Sequence, residues 1–199
     1  LETNDEKQIE EAVKTTLKGC IQTRVKIENL AIFDLEYIFL QIRAVSVGEI
    51  VEMKVTCKDD DTTKVQYNLN LSEVGVIKPE GHTNKIMLSD DMGVIMKYPQ
   101  WNDFIVGSVM GQSPSAEGIV EIIAECVDQI FDGEDVYDSS TTSKKEFVQF
   151  VENITNAQFE KIQEFFQSCP RLEHKFTVIN PNTGEPSEFV LTGLSNFFG

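Results

Sequence analysis

The chain has 199 residues, of which 41% are hydrophobic and 25% charged, a composition that suits a folded protein with one sizeable core or two small ones. Its 33 acidic residues outnumber 17 Lys and Arg, giving a formal net charge of -16. A surface of this charge repels nucleic-acid phosphates and anionic lipids, and no window reaches the roughly 18 apolar residues of a membrane-spanning helix. We therefore expect neither nucleic acid nor a membrane as a partner.

The first half of the chain is predicted to contain two helices and a β-hairpin. Apolar spacing indicates one helix over residues 5–21 and a second helix that begins at Phe33 and ends at a turn containing Gly48. The residues expected on the inward face of the second helix are Leu35, Ile38, Phe39, Ile42 and Val45. Strict alternation then predicts strands over 49–58 and 65–72, joined by an acidic loop, with Cys57 and Leu69 among the inward residues. Two further short strands are expected over 84–88 and 92–98.

The second half is predicted to be helical and to close with another hairpin. After a helix over 101–110 and a Gly/Ser/Pro-rich break, apolar residues continue in helical register from Ile119 to Ile130, and a polar loop follows. Capping boxes at Ser143–Glu146 and Thr155–Gln158 predict the starts of two more helices. Strands are expected over 173–179 and 187–192.

These elements predict an α+β fold in which amphipathic helices pack with a central and a C-terminal β-hairpin. We expect a division into residues 1–98 and 99–199. Because both hairpins alternate in a similar way and lead into Leu71-Ser72 and Leu194-Ser195, an internal duplication is a further hypothesis.

The residues that usually carry catalysis or bind metals are sparse and poorly spaced. His82 and His174 have no partner at metal-ligand spacing, and the four cysteines contain no CxxC pair. The acidic clusters at Asp59–Asp61 and Asp132–Asp138 do not match a calcium-binding loop. We predict no enzyme activity, no catalytic residues, no metal and no cofactor, and we expect buried, reduced thiols. A cysteine hydrolase using Cys126 or Cys169 with a distant histidine is the rival hypothesis.

Aromatic residues near a proline and at the end of the sequence are the best candidates for contacts with another protein. Trp101 and Phe104 follow Pro99, and Phe197 and Phe198 precede Gly199. Each ring either anchors its segment to the core or docks on a partner from an exposed position. We predict partner binding by these four residues, with core anchoring as the alternative.

The order of several segments resembles the baseplate hub assembly proteins of T4-type contractile-tailed bacteriophages. These segments are DEKQIEEAVKTTLKGC, FDLEYIFLQIRAVSVGE, EIVEMKVTC and LTGLSNFF, and the most specific stretch is Phe33 to Cys57. The resemblance implies a non-enzymatic protein without a cofactor that assembles the central hub of the baseplate. It also implies a further N-terminal segment, in agreement with a chain that begins with Leu1.

From this resemblance we expect a hub assembly factor, or chaperone, that binds other hub or central spike proteins during virion morphogenesis. Such a late protein acts in the host cytoplasm and is either released or retained in the tail baseplate of the virion. The alternative is a permanent structural subunit of the hub. Homo-oligomerisation is left open.

Overall fold

A computed structural model describes residues 15–22, 25–100 and 115–197. Residues 15–20 are helical. The helices that follow in chain order are α1 (Ile32–Val47), α2 (Ala116–Cys126), α3 (Lys144–Asn153) and α4 (Asn156–Gln167). The strands are β1 (Ile50–Thr56), β2 (Lys64–Asn70), β3 (Gly75–Ile77), β4 (Lys85–Met87), β5 (Met92–Met96), β6 (Val127–Asp132), β7 (Asp135–Asp138), β8 (Arg171–Ile179) and β9 (Pro186–Thr192).

The chain forms two compact units, and neither is a continuous stretch of sequence. Of the described residues, unit 1 contains 15, 25–32, 78–100 and 115–169, and unit 2 contains 16–22, 33–77 and 170–197. In sequence, the segments of unit 2 therefore come before and after residues 78–169, the main segment of unit 1. The predicted division into 1–98 and 99–199 stays a prediction about domains; the compact units follow a different division.

Helix α1 confirms the predicted helix but not its whole predicted face. Its buried residues are Phe33, Leu35, Leu40 and Ala44. The expected inward residue Val45 is 90% exposed. Apolar side chains cover most of the circumference of this helix, so their spacing alone does not select one face. The part of the prediction that placed Val45 inward is wrong.

The central hairpin of unit 2 follows its predicted pattern. Strands β1 and β2 pair antiparallel, from Ile50 opposite Asn70 to Thr56 opposite Lys64. The predicted inward residues, such as Val51 and Leu69, are buried or half-buried, whereas Glu52 and Lys54 are exposed. This alternation is what a sheet with one buried face requires.

The C-terminal hairpin of unit 2 belongs to a three-stranded antiparallel sheet of order β3-β8-β9. One buried cluster joins residues from α1, the first hairpin and this sheet: Leu40, Ala44, Val51, Leu69, Leu71, Val74, Leu172 and Phe197. A second cluster, Cys57, Phe176 and Val178, lies between the two hairpins, where the Tyr67 and Phe176 rings stack with centroids 3.8 Å apart. The hairpins of unit 2 therefore pack through their apolar faces.

Unit 1 contains a four-stranded antiparallel sheet of order β4-β5-β6-β7 with helices on one face. Its core residues come from β5, β6, the segment before β5 and helices α2 to α4: Leu88, Val94, Met96, Ile123, Ala124, Cys126, Val127, Ile130, Phe147, Val151, Ile162 and Phe165. Both predicted capping boxes, at Ser143–Glu146 and Thr155–Gln158, are present. Lys161 Nζ donates to the carbonyl of Met87 at 2.9 Å, which ties α4 to β4.

The helix predicted through Ile130 is shorter than expected. Helix α2 ends at Cys126, and residues 127–132 form β6, which turns at Gly133-Glu134 into β7. Gly133 has φ +60°, which suits the first central position of a two-residue hairpin turn. The polar segment after Ile130 therefore contains a strand where a loop was predicted.

Helices and antiparallel sheets together confirm the α+β class. The two predicted hairpins, β1–β2 and β8–β9, are both present. The structure does not confirm an internal duplication, since β8–β9 continues into β3 whereas β1–β2 forms a sheet of its own. The helix predicted over 101–110 lies outside the described residues.

Candidate protein-interaction surface

Of the four aromatic residues predicted to bind a partner, Phe197 is the one that lies in the described part of the chain. Trp101, Phe104 and Phe198 lie outside the described residues. Phe197 is 0% exposed and belongs to the core cluster of unit 2, in a short 3-10 helix, Leu194–Phe197. Its ring anchors this segment to the core, which is the alternative that the sequence left open, and it is not presented at the surface.

The acidic loop of the first hairpin is held by the loop of the second one. Asn180, which is fully buried, donates from its amide nitrogen to Asp59 and Asp60 at 3.0–3.1 Å. Thr183 Oγ1 donates to Asp59 at 2.6 Å, and Thr63 Oγ1 and its backbone N–H donate to Asp60. We call these five residues the loop clasp. It is a structural feature of unit 2, not a free acidic loop.

The donors of the loop clasp stabilise the charged forms of both carboxyl groups. The hydroxyl of Thr183 and the amide of Asn180 lower the pKa of Asp59. The hydroxyl and N–H of Thr63, with further donors, hold the pKa of Asp60 well below its ordinary value. Both side chains are therefore ionised at neutral pH.

His82 lies in a chain of hydrogen bonds in unit 1. Its Nδ1 is 2.9 Å from Ser168 Oγ, and its Nε2 is 3.1 Å from the Tyr98 hydroxyl. Because Ser168 donates its proton to the carbonyl of Glu164, its oxygen accepts from Nδ1, and Nε2 accepts from Tyr98. Burial and the nearby charge of Lys78 lower the pKa of His82. A nucleophilic serine donates to its histidine, whereas Ser168 accepts.

His174 is buried in unit 2 and its Nε2 is 3.0 Å from the hydroxyl of Tyr67. The ring stacks at 5.9 Å on Phe176, in the apolar layer between the hairpins. The Tyr67 hydroxyl thus gives this buried polar ring a hydrogen-bond partner inside the core.

The cysteines divide by exposure. Cys57 and Cys126 are buried, as predicted, whereas Cys20 is exposed and corrects the expectation of a buried thiol. Burial raises the pKa of Cys169 to about 12, and burial with the charges of Asp59 and Asp60 raises that of Cys57. A raised pKa keeps a thiol protonated and weakly nucleophilic. In the described part of the chain, no cluster of three His, Cys, Asp or Glu side chains is placed to hold a metal ion.

The sheet of unit 1 carries exposed apolar side chains on the face opposite its core. Met87, Gly93, Phe131 and Val136 lie side by side across the four strands, one from each. Val136 is 60% and Met87 41% exposed, and Phe131 is half-buried. We call these four residues the apolar row. Strands about 4.8 Å apart give the row a length of roughly 14 Å.

Gly93 shapes the apolar row. A Cβ atom on Gly93 would lie 2.4 Å from Cζ of Phe131 and 2.5 Å from the carbonyl oxygen of Ile86. The Phe131 ring therefore lies against the glycine, in space that a Cβ atom would fill. Lys85 Nζ lies 4.9 Å from the centroid of this ring, a cation–π contact that adds one positive charge to the face.

Three carboxylates stand in the two turns at one end of the apolar row. Asp90 and Asp91 lie in the turn between β4 and β5, and Glu134 lies in the turn between β6 and β7. Asp132 and Asp135 stand one register position beyond the row, so their side chains lie on the opposite face of the sheet. The two turns are neighbours, since the N–H of Gly133 donates to the carbonyl of Asp91 at 3.0 Å. We call Asp90, Asp91 and Glu134 the acidic rim. All are exposed, and the described ion pairs include none of them.

Sequence reasoning missed this face because it needs the register of four strands, two of which were not predicted. The signal for β6 and β7 was the dipeptide Asp132-Gly133 between residues of high strand propensity. Because apolar residues continue in helical register up to Ile130, a helix was predicted there instead of these strands. The acidic rim had been recognised in part as a cluster that does not fit a calcium loop.

None of the helices in the described part of the chain has the length and hydropathy that a membrane span requires. No curated protein and no solved structure matches this chain. The model of the family described as T4 bacteriophage base plate protein matches residues 1–199. That match agrees with the resemblance carried by Phe33 to Cys57 and the flanking segments, and the chain therefore belongs to the T4 bacteriophage base plate protein family.

Proposed function

We propose that this base plate protein is a hub assembly factor that acts by binding other hub or central spike proteins while the tail is built. Family membership supports a place among baseplate proteins. The observation that supports action by binding is the apolar row, where Val136 is 60% and Met87 41% exposed in the chain by itself. Contiguous exposed apolar surface of this kind is typical of a site that another protein covers.

Under this proposal the protein works in the host cytoplasm during assembly and leaves before the particle is complete. The second candidate is a permanent structural subunit of the hub, which membership of the base plate family supports equally. Both candidates use the same binding chemistry and differ in whether the chain is part of the finished tail.

We also propose that the protein is not an enzyme and needs no cofactor. In support, the hydrogen bonds of His82 and His174 to described residues are made with hydroxyls, and the thiols of Cys57 and Cys169 have raised pKa values. Replacement of Cys126 and Cys169 by serine should leave tail assembly unchanged in a complementation assay. Loss of assembly by a well-folded serine variant would restore the cysteine hydrolase hypothesis.

The deciding experiment follows the protein through infection. Tagged protein should co-purify with hub or spike proteins from infected cells at intermediate times, with the partners identified by mass, and should be absent from purified mature particles. A stoichiometric amount in mature particles would establish the structural subunit instead. Failure to co-purify with any baseplate protein at any time would contradict binding altogether.

A further inference from the structure

We infer that the apolar row and the acidic rim together bind a cationic segment of another protein, one in which apolar side chains alternate with Lys or Arg. This inference rests on the proposed function, because it names the chemistry of the partner that the assembly factor would bind. It commits to one surface, the outer face and turn end of the unit 1 sheet.

The apolar part of the argument comes from register and exposure. Met87 and Val136 lie at the two edges of the row, and the Phe131 ring lies between them over Gly93. The row is thus a flat strip of roughly 14 Å, long enough for a few side chains of an extended or helical segment. Covering the exposed areas of Met87 and Val136 would remove apolar surface from water, which favours association.

The electrostatic part of the argument comes from the acidic rim. Asp90, Asp91 and Glu134 lie in two adjacent turns at one end of the row, without hydrogen bonds or ion pairs from their side chains to described residues. No ion pair with a described residue occupies these carboxylates. A positive segment laid along the row would meet these three carboxylates and one cation, the Lys85 ammonium over the Phe131 ring.

The same charges argue against the other occupants of an apolar face. A second copy would bring together two chains that each carry a net charge of -16, which disfavours their association. An anionic lipid surface or nucleic acid would be repelled for the same reason. A cationic protein segment satisfies both the apolar and the acidic parts of the surface.

The test uses the full chain and two synthetic peptides, one alternating Lys with Val and Phe, and one with Glu in place of each Lys. Isothermal titration calorimetry at several salt concentrations measures both. We expect the cationic peptide to bind with an affinity that falls as salt rises, and the acidic peptide not to bind. Binding of both peptides alike would overturn the inference.

Matched variants separate this surface from diffuse attraction to an acidic protein. Asp90→Lys, Asp91→Lys and Glu134→Lys are combined in one variant, and Glu117→Lys, Glu152→Lys and Glu160→Lys, exposed on helices of unit 1, are combined in the control. Both carry the same net charge. We expect the rim variant to bind the cationic peptide about tenfold more weakly than the control. Equal weakening in both would show diffuse attraction and overturn the inference.

A second pair of variants tests the apolar row. Met87→Ser with Val136→Ser should weaken binding about fivefold, since apolar surface is lost, whereas Ile179→Ser with Val190→Ser, at exposed strand positions of unit 2, should not. Circular dichroism confirms that all variants are folded. No difference between the pairs would overturn the inference, and so would a dimer of the unmodified chain that the row variant dissociates.

Failure of this inference and failure of the proposed function give different results. If rim and row variants bind the peptide as the controls do, but the chain still co-purifies with hub proteins, the partner uses another surface. If co-purification itself fails, the assembly proposal is lost whatever the peptide does.

Discussion

At the scale of single residues, Asn180 links the loops of the two hairpins in unit 2. Its side chain is fully buried and donates to two carboxylates far away in sequence. Asn180→Ala should lower the free energy of unfolding by about 1–3 kcal/mol, because the hydrogen bonds from a buried donor to charged carboxylates are lost. Urea denaturation followed by circular dichroism measures this change.

Asn182→Ala is the matched control for Asn180. The Asn182 side chain also reaches the first hairpin, through Thr63 Oγ1 at 2.9 Å, but it is exposed. Water can replace its hydrogen bond, so the loss should be well under that of Asn180→Ala. Equal effects of the two substitutions would contradict the role given to the buried amide.

Asp60 makes the contribution of the loop clasp to stability depend on pH. Its hydrogen bonds hold its pKa below the ordinary value of 3.8, so its contribution to stability is complete above that pH and is lost as the pH falls further. The urea midpoint of the unmodified protein should therefore drop below about pH 4, and Asp60→Asn should show a smaller drop. Other carboxyls with lowered pKa, such as Asp138 at about 2, are common to both proteins. Parallel pH curves would contradict this assignment.

The clasp also shows what the sequence could not provide at this scale. The acidic residues of the first hairpin loop were visible, but their partners lie some 120 residues away and have ordinary loop chemistry. Phe197 is a similar case, since a ring near the end of the sequence has equal reason to be buried or exposed until its neighbours are known.

At the scale of elements, α1 shows why a correct helix can carry a partly wrong face. Leu40 is fully buried, whereas Val45 is almost fully exposed. Leu40→Ala should cost about 2–5 kcal/mol of unfolding free energy, and Val45→Ala less than about 0.5 kcal/mol. Chemical denaturation of both variants measures these two changes in unfolding free energy. A larger loss for Val45→Ala would restore the face predicted from spacing.

Strand β5 depends on Gly93 in a way that propensity does not reveal. In Gly93→Ala the new methyl group would collide with the Phe131 ring and with the backbone oxygen of Ile86. The expected loss is about 1–3 kcal/mol of unfolding free energy, measured by urea denaturation. Gly75→Ala, in β3, is the control, because nothing lies within 4 Å of its new Cβ. A neutral result for Gly93→Ala would mean that the row can rearrange.

At the scale of the whole molecule, the charge of -16 predicts that the protein does not bind duplex DNA. Most affinity for DNA comes from cations on phosphates, and in this chain carboxylates outnumber cations about two to one. A gel-shift assay at micromolar protein and physiological salt should show no complex. A salt-sensitive shifted band would overturn this prediction.

The fold class was predictable because alternation in β1, β2, β8 and β9 is local information, and the capping boxes mark helix starts directly. The grouping of segments into two units was not predictable from the sequence, because it depends on which distant segments share a core. The short strand β3 illustrates this: it is a strand because it pairs with β8, on the far side of unit 1 in sequence.

The discontinuity of unit 2 has a consequence for how the protein is made on the ribosome. Strands β1 and β2 are synthesised early, but the sheet β3-β8-β9 that covers their apolar face needs segment 170–197, which emerges after all of unit 1. Residues 78–169 contain the described core cluster of unit 1, so this cluster can form before segment 170–197 is made, while the apolar side of the first hairpin is still uncovered. Synthesis of the last strands is thus the step that completes the molecule, and a nascent chain stalled before Arg171 would expose the surface around Leu69 and Tyr67 to chaperones.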